Sequence, residues 1–210
     1  MLNTEQTNES DWRGLMGTSA EAAAETRRNI VKMAAVEFKA RGFRNVGVAD
    51  LLSQLGLTHG GFYRHFENKD QLVAEACKSV FDNIMTSRWP KNCDAHTKDA
   101  MSQIVTRYLS AKDRDNPTDS CGLASLVSDF ARASDDTRIV ATEGFRKFVA
   151  LLEKAVPLND AKTMNEEATN LACLLIGTMS MAKVFSDRKM SNNLLSTVKS
   201  QILTSYEDRY

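Results

Sequence analysis

Proline occurs at only three positions, Pro90, Pro117 and Pro157, and between them apolar residues return every three or four positions. A proline removes an amide donor and blocks a helix interior, so long proline-free stretches with that period read as helices. Ala, Leu, Lys, Glu, Met and Arg, all good helix formers, are plentiful, and the ten glycines are few. The fold class is therefore all-α. With 210 residues, 42% of them hydrophobic, the chain can bury a sizeable core in one domain or two. No apolar run reaches the roughly 18 residues that a membrane span needs. The opening MLNTEQTNESDWRG is polar and acidic, unlike a secretory signal, so a cytoplasmic protein is expected. Cys77, Cys93, Cys121 and Cys173 fall in no paired spacing and are expected to be free thiols.

Residues 1–23 lack an apolar period and read as a disordered tail. A first helix is expected from Glu25, with Ile30, Met33, Ala34 and Phe38 on its buried face, ending at Gly42. A short second helix runs over about Val48–Leu55, with Leu51, Leu52 and Leu55 inward, and Gly56 stops it. Thr58 then suits the N-cap of a third short helix, and Asn68 that of a longer one running from Lys69 to about Arg88. Further helices follow from Thr97 onward, separated by a polar loop AKDRDNPTDSCG and by Pro157, making about nine in all.

Two short helices joined at a glycine make a helix-turn-helix, in which the second helix enters the major groove of DNA. Net charge over the whole chain is zero, but residues 26–70 hold eight basic and four acidic residues. That local excess is the kind of footprint that phosphate binding leaves. Within LGLTHGGFYRHFENKDQL, Phe62 and Phe66 are four apart and pack inward. Gly60 and Gly61 weaken a helix, at a cost of about 1 kcal/mol each, and a close approach to a DNA backbone would repay the missing side chains. Thr58, His59, Gly60, Tyr63, Arg64 and His65 are then placed to meet phosphates or base edges, and Lys69 to hold a phosphate at the next helix start.

The segment RRNIVKMAAVEFKARGFRNVGVADLLSQLGLTHGGFYRHFENKDQLVAEA, Arg27–Ala76, resembles the N-terminal DNA-binding domain of the TetR/AcrR transcriptional regulators. The resemblance implies an N-terminal three-helix DNA-binding domain, residues 24–70, and a larger helical ligand-binding and dimerisation domain, residues 71–210. It further implies a homodimeric repressor that binds a palindromic operator on double-stranded DNA and leaves it when a small-molecule effector binds. At the start of the second helix, where the family often has Ser or Thr, this chain has Val46, Gly47 and Val48. Arg44 or a backbone N–H, including that of Gly47, would replace the lost hydroxyl.

For the larger domain, Met85, Trp89, Met101, Ile104, Tyr108, Phe130, Phe145, Phe148 and Met179 are candidate walls of an effector pocket; the alternative is ordinary core. ATNLACLLIGTMSMAKVF is apolar on more than one face, so Leu174, Gly177 and Met181, with Leu195, Val198 and Ile202 of the last helix, are expected at a dimer interface. Cys121, beside Gly122 at a helix start, is a candidate thiol sensor of electrophiles or oxidants, against the alternative of a small packing residue. Cys93 and His96 give a C-x-x-H pair, two ligands where a metal site needs more, so no metal or cofactor is expected. Neither a Ser/His/Asp set nor a phosphate-cradling glycine loop is present, which argues against an enzyme. A helical protein-interaction adaptor would explain the apolar last helices but not the basic, glycine-bearing segment.

Overall fold

The computed structural model describes residues 9–87, 96–116, 120–157 and 160–210, and helix is the regular structure among them. The order is α1 (Glu9–Arg41), α2 (Val48–Gln54), α3 (His59–Phe62), α4 (Lys69–Ser87), α5 (Lys98–Tyr108), α6 (Ala111–Asp115), α7 (Gly122–Phe130), α8 (Asp135–Glu153), α9 (Ala161–Val184) and α10 (Arg188–Tyr206). The first helix corrects the expected tail, since residues 9–23 are helical rather than disordered. The run SAEAAAET consists mostly of the strongest helix formers, which extend a helix without needing an apolar face. Residues 20–25 are accordingly exposed.

Sequence chemistry marks most boundaries. The α1 chain stops at Gly42, whose left-handed φ of +78° lets its N–H reach Phe38 O at 2.8 Å. Asn68 Oδ1 accepts from Gln71 N at 2.9 Å, and Gln71 Oε1 accepts from Glu67 N at 2.7 Å, a reciprocal cap on α4. Thr97, Ser110, Asp160 and Asp187 accept from the first-turn amides of α5, α6, α9 and α10. The α6 turn lies inside the stretch expected to be a polar loop. Arg114, 6% exposed, explains it: Nη1 donates to Ser191 Oγ at 2.6 Å and to Asn192 Oδ1 at 2.8 Å. A buried guanidinium must be fully hydrogen-bonded: Nε and Nη2 donate to the adjacent Asp115, and the partners of Nη1 are 77 and 78 residues away, beyond any local pattern.

The core is continuous from the N-terminal helices to α10. Helix α4 is its spine, packed on α1 along one side and on α8 along the other. Leu72, Val73 and Ala76 near its start are buried, so the expected boundary at residues 70 and 71 falls at the head of a helix shared by both parts. On α8 the buried stripe is Thr137, Gly144, Phe148, Val149, Leu151 and Leu152, whereas the apolar Ile139 is 61% exposed. The stripe turns because α8 meets α4 at a glycine: a Cβ on Gly144 would lie 2.6 Å from Phe81 Cδ2. Helices α8, α9 and α10 complete the larger part, with α5 against α10 and α7 bridging α1, α8 and α9.

Candidate nucleic-acid interface

The candidate DNA-contacting segment, residues 58–66 and called the reader below, is built by one tight turn and two phenylalanines. After α2, Leu57 N donates to Leu52 O at 2.9 Å and Gly56 N to Ser53 O at 3.1 Å, with Gly56 at φ +67°. This pair of bonds is the Schellman end that reverses the chain toward α3. Thr58 is the N-cap of α3 in extended conformation, although its side chain makes no capping bond. Phe62 and Phe66 are 1% and 2% exposed and stack at 5.3 Å, which fastens one face of the reader to the core.

The other face is open. Tyr63 is 62% exposed, with its ring edge against Phe62, and Thr58, Gly60 and Arg64 are exposed beside it. His65 is half-buried; His59 is the first residue of α3, and its side chain lies outside those described. Arg44 and Gly47 are exposed at the head of α2, while Val46 between them is fully buried, so only part of that triplet faces outward. A Cβ on Gly60 would meet nothing within 4 Å, and its φ is not left-handed. The fold itself therefore has no need of a glycine there.

Lys69 is already engaged inside the protein: Nζ donates to Phe43 O at 2.6 Å, and burial pushes its pKa below the ordinary lysine value. Phe43 is held from several sides at once. Its N–H donates to Asp129 Oδ1 of α7 at 3.0 Å, and its ring lies edge-on to Phe38 and Phe130 at 5.5 and 5.6 Å. The α1–α2 turn is thus tied to the larger part of the molecule. A cleft of about 460 Å³ opens beside it, lined by Arg44, Lys69, Asp129 and Arg132 among others. Asp129 is 86 residues from Phe43, and no feature of the sequence connects them. Arg27, in the sequence one of eight basic residues between positions 26 and 70, has a guanidinium that reaches Glu75, His65 O and the Phe66 ring, contacts that no local pattern shows.

Of the candidate effector-pocket walls, Met101, Ile104, Tyr108, Phe130, Phe148 and Met179 are buried core residues, and Phe145 is half-buried. Tyr108 stacks on Phe148 at 5.6 Å. Met85 lies in α4 with its side chain outside those described, and Trp89 and Cys93 lie outside the described residues. His96 Nδ1 sits 2.9 Å from Val156 O.

The expected dimer residues divide. Leu174 and Met181 are 45% and 48% exposed, and Gly177 is exposed between them. Leu195 and Ile202 are corrections: at 4% and 3% exposed they lie in the core of the protomer. They are seven apart, two turns along the single face by which α10 packs on α9 and α5. Val198 is half-buried, and Val184, at 72% exposed, extends the outward stripe of α9.

Cys121 is the N-cap residue of α7 and 5% exposed. Lys183, whose pKa burial lowers, lies close enough for its charge to interact with Cys121. Burial pushes the Cys77 thiol up to about 12, and Cys173 is exposed on α9. No helix among the described residues is long and apolar enough to cross a membrane.

Residues 30–76 match the family model described as bacterial regulatory proteins, tetR family. The chain is 37% identical over 51 residues to the uncharacterized HTH-type transcriptional regulator YdgC of Bacillus subtilis, covering 24% of this chain and 26% of that protein. It is 37% identical over 62 residues to the HTH-type transcriptional regulator TtgR of Pseudomonas putida, covering 30% of each. The chain thus matches these curated relatives over less than a third of their length. The fold is similar over nearly the whole chain to a TetR-family regulator from Cytophaga hutchinsonii, with TM-score 0.68, 18% identity, and 90% and 98% of the two chains covered. It is also similar to the reduced form of NemR from E. coli, with TM-score 0.65, 19% identity, and 85% and 95% covered.

Proposed function

Residues 30–76 match the tetR family model, and from that premise we propose that the chain is a ligand-responsive repressor of the TetR family. Two copies bind a palindromic operator, and a small-molecule effector in the larger domain releases them. The observation that carries the DNA-binding part is the division of the reader into two faces. Phe62 and Phe66 are spent on the core, while Thr58, Gly60, Tyr63 and Arg64 are exposed together on a glycine-bearing turn. Arg44 and Gly47 extend that face, and His65, half-buried, borders it. Lys69, with its ammonium on Phe43 O, borders that face at the head of α4.

Leu174, Gly177, Met181 and Val184 form the α9 side of the two-fold interface, because an exposed apolar stripe of that length suits a second helix. Effector contacts come from the middle helices, among Met101, Tyr108, Phe145 and their neighbours, where methionine and aromatic side chains give a pliable apolar lining. The test is titration of the gene's own promoter DNA at several salt concentrations. Affinity should fall steeply with salt yet stay above that for competitor DNA at every concentration. Equal affinity for both would refute the reading, as would unchanged binding after Tyr63→Ala.

A second reading has its own support. Cys121 is a buried thiol at a helix start, next to the charge of a partly buried lysine, while Cys77 is held protonated by burial. On this reading an electrophile or oxidant replaces the reversible effector. Exposure to an oxidant should release DNA from the parent but not from Cys121→Ser; release from both would remove Cys121 as the sensor.

A further inference from the structure

We propose that Arg27, in α1, is the positioning residue that fixes the exit of the DNA reader, an inference that rests on the DNA-binding reading above. The reader helix α3 is four residues long, far too short to hold itself. Its entry is set by the turn at Gly56. Its exit, Tyr63–Phe66, carries three of the side chains assigned to DNA and has no helix to continue it. One guanidinium gathers that exit. Arg27 Nη1 donates to the carbonyl of His65, and Nη2 donates to Glu75 Oε1 of α4. The Cζ atom lies 4.3 Å from the centroid of the Phe66 ring. Three elements distant in sequence, α1, the reader exit and α4, therefore meet on one side chain.

Only arginine fits this task. Its donors lie in one rigid plane, which can stack on a ring while bonding outward in two directions. A lysine at the same place would keep the charge and the pairing with Glu75, but could not hold the ring and the carbonyl together. Arg28, one position along, is exposed and pairs with Glu25 on its own helix, so it does not substitute. The Arg27 charge is committed to Glu75 and to a backbone carbonyl. It acts on DNA through the orientation of Tyr63, Arg64 and His65, not by touching phosphate.

Arg27→Lys separates these roles, because it preserves charge. The full-length parent and variant are titrated with promoter and competitor DNA over a salt series, and amide hydrogen exchange is followed at Tyr63–Phe66. The variant should bind promoter DNA about tenfold more weakly, corresponding to about 1.4 kcal/mol. Its log K against log salt should keep the parent's slope, and the exit amides should exchange faster, with helicity by circular dichroism unchanged. Parental affinity in the variant would overturn the proposal. So would a slope shallower by about 0.9, the signature of one lost phosphate contact. Glu75→Gln guards against a general folding defect: it keeps the ring and carbonyl contacts and should bind DNA nearly as the parent does. A loss equal to that of Arg27→Lys would show that the ion pair, not the reader exit, matters. If the parent itself prefers no promoter DNA, the DNA-binding reading fails first, and does so independently of either variant.

Discussion

Replacing Gly60 with alanine should stabilise the protein and weaken its hold on DNA. A Cβ at Gly60 meets no atom within 4 Å, and the backbone there is not left-handed, so the fold offers no resistance. Glycine in a helix interior is about 0.5–1 kcal/mol worse than alanine. Gly60 is the second residue of a four-residue helix, so the lower end applies, about 0.5 kcal/mol. For a chain of this size 1 kcal/mol moves the Tm by about 2–4 °C, which gives a rise of about 1–2 °C. On DNA the sign reverses. A methyl forced into a close backbone contact costs about 1–3 kcal/mol, which is roughly a five- to 150-fold loss of affinity. Thermal unfolding by circular dichroism and promoter titration by fluorescence anisotropy read the two quantities on the same samples. A Tm lowered by several degrees would mean that the fold requires the glycine. A raised Tm with unchanged DNA affinity would mean that Gly60 does not approach DNA, and the assignment of the reader's outer face would fall with it.

Four other substitutions test the remaining structure. Leu195→Ala should cost about 2–5 kcal/mol of protomer stability, because the side chain is buried, whereas Met181→Asp should leave protomer helicity intact and lower the sedimenting mass toward the monomer. Gly144→Ala should destabilise by about 1–2 kcal/mol in denaturant titration, since the clash with the buried Phe81 ring outweighs the gain in helix propensity. Hydrogen bonds from Arg114, then Arg188, hold Asp115 at a pKa of about 2 rather than 3.8. Its stabilisation is full above the unfolded value and is lost as pH falls through about 2, so Asp115→Asn should flatten the stability profile between pH 3.8 and 2.

Helical content was legible because its causes are local. Asn68 announces a helix start within a few residues, and Gly42 and Gly56 announce stops that need a left-handed backbone. The two faces of the reader were legible for the same reason: Phe62 and Phe66 are one turn apart, and the intervening residues must point elsewhere. The burial of α6 was not, because it places Arg114 Nη1 on Ser191 and Asn192 across the fold. On α8, Ile139 is apolar yet exposed, and the close contact with Phe81 of α4 is made by Gly144, the smallest residue in the helix.

The last helices show where sequence stops. Leu174, Met181, Leu195 and Ile202 are equally apolar, and periodicity alone cannot say which neighbour each one meets. Packing of α10 on α9 and α5 takes Leu195 and Ile202 into the protomer and leaves Leu174 and Met181 outside. Sequence determined that this chain is helical and where its reader lies, since both follow from contacts within a turn or two. Tertiary structure decided how Arg27, Phe43 and Asp129 bind the reader to the rest, since those contacts join residues 38 to 86 positions apart, whose meeting only the packed fold determines.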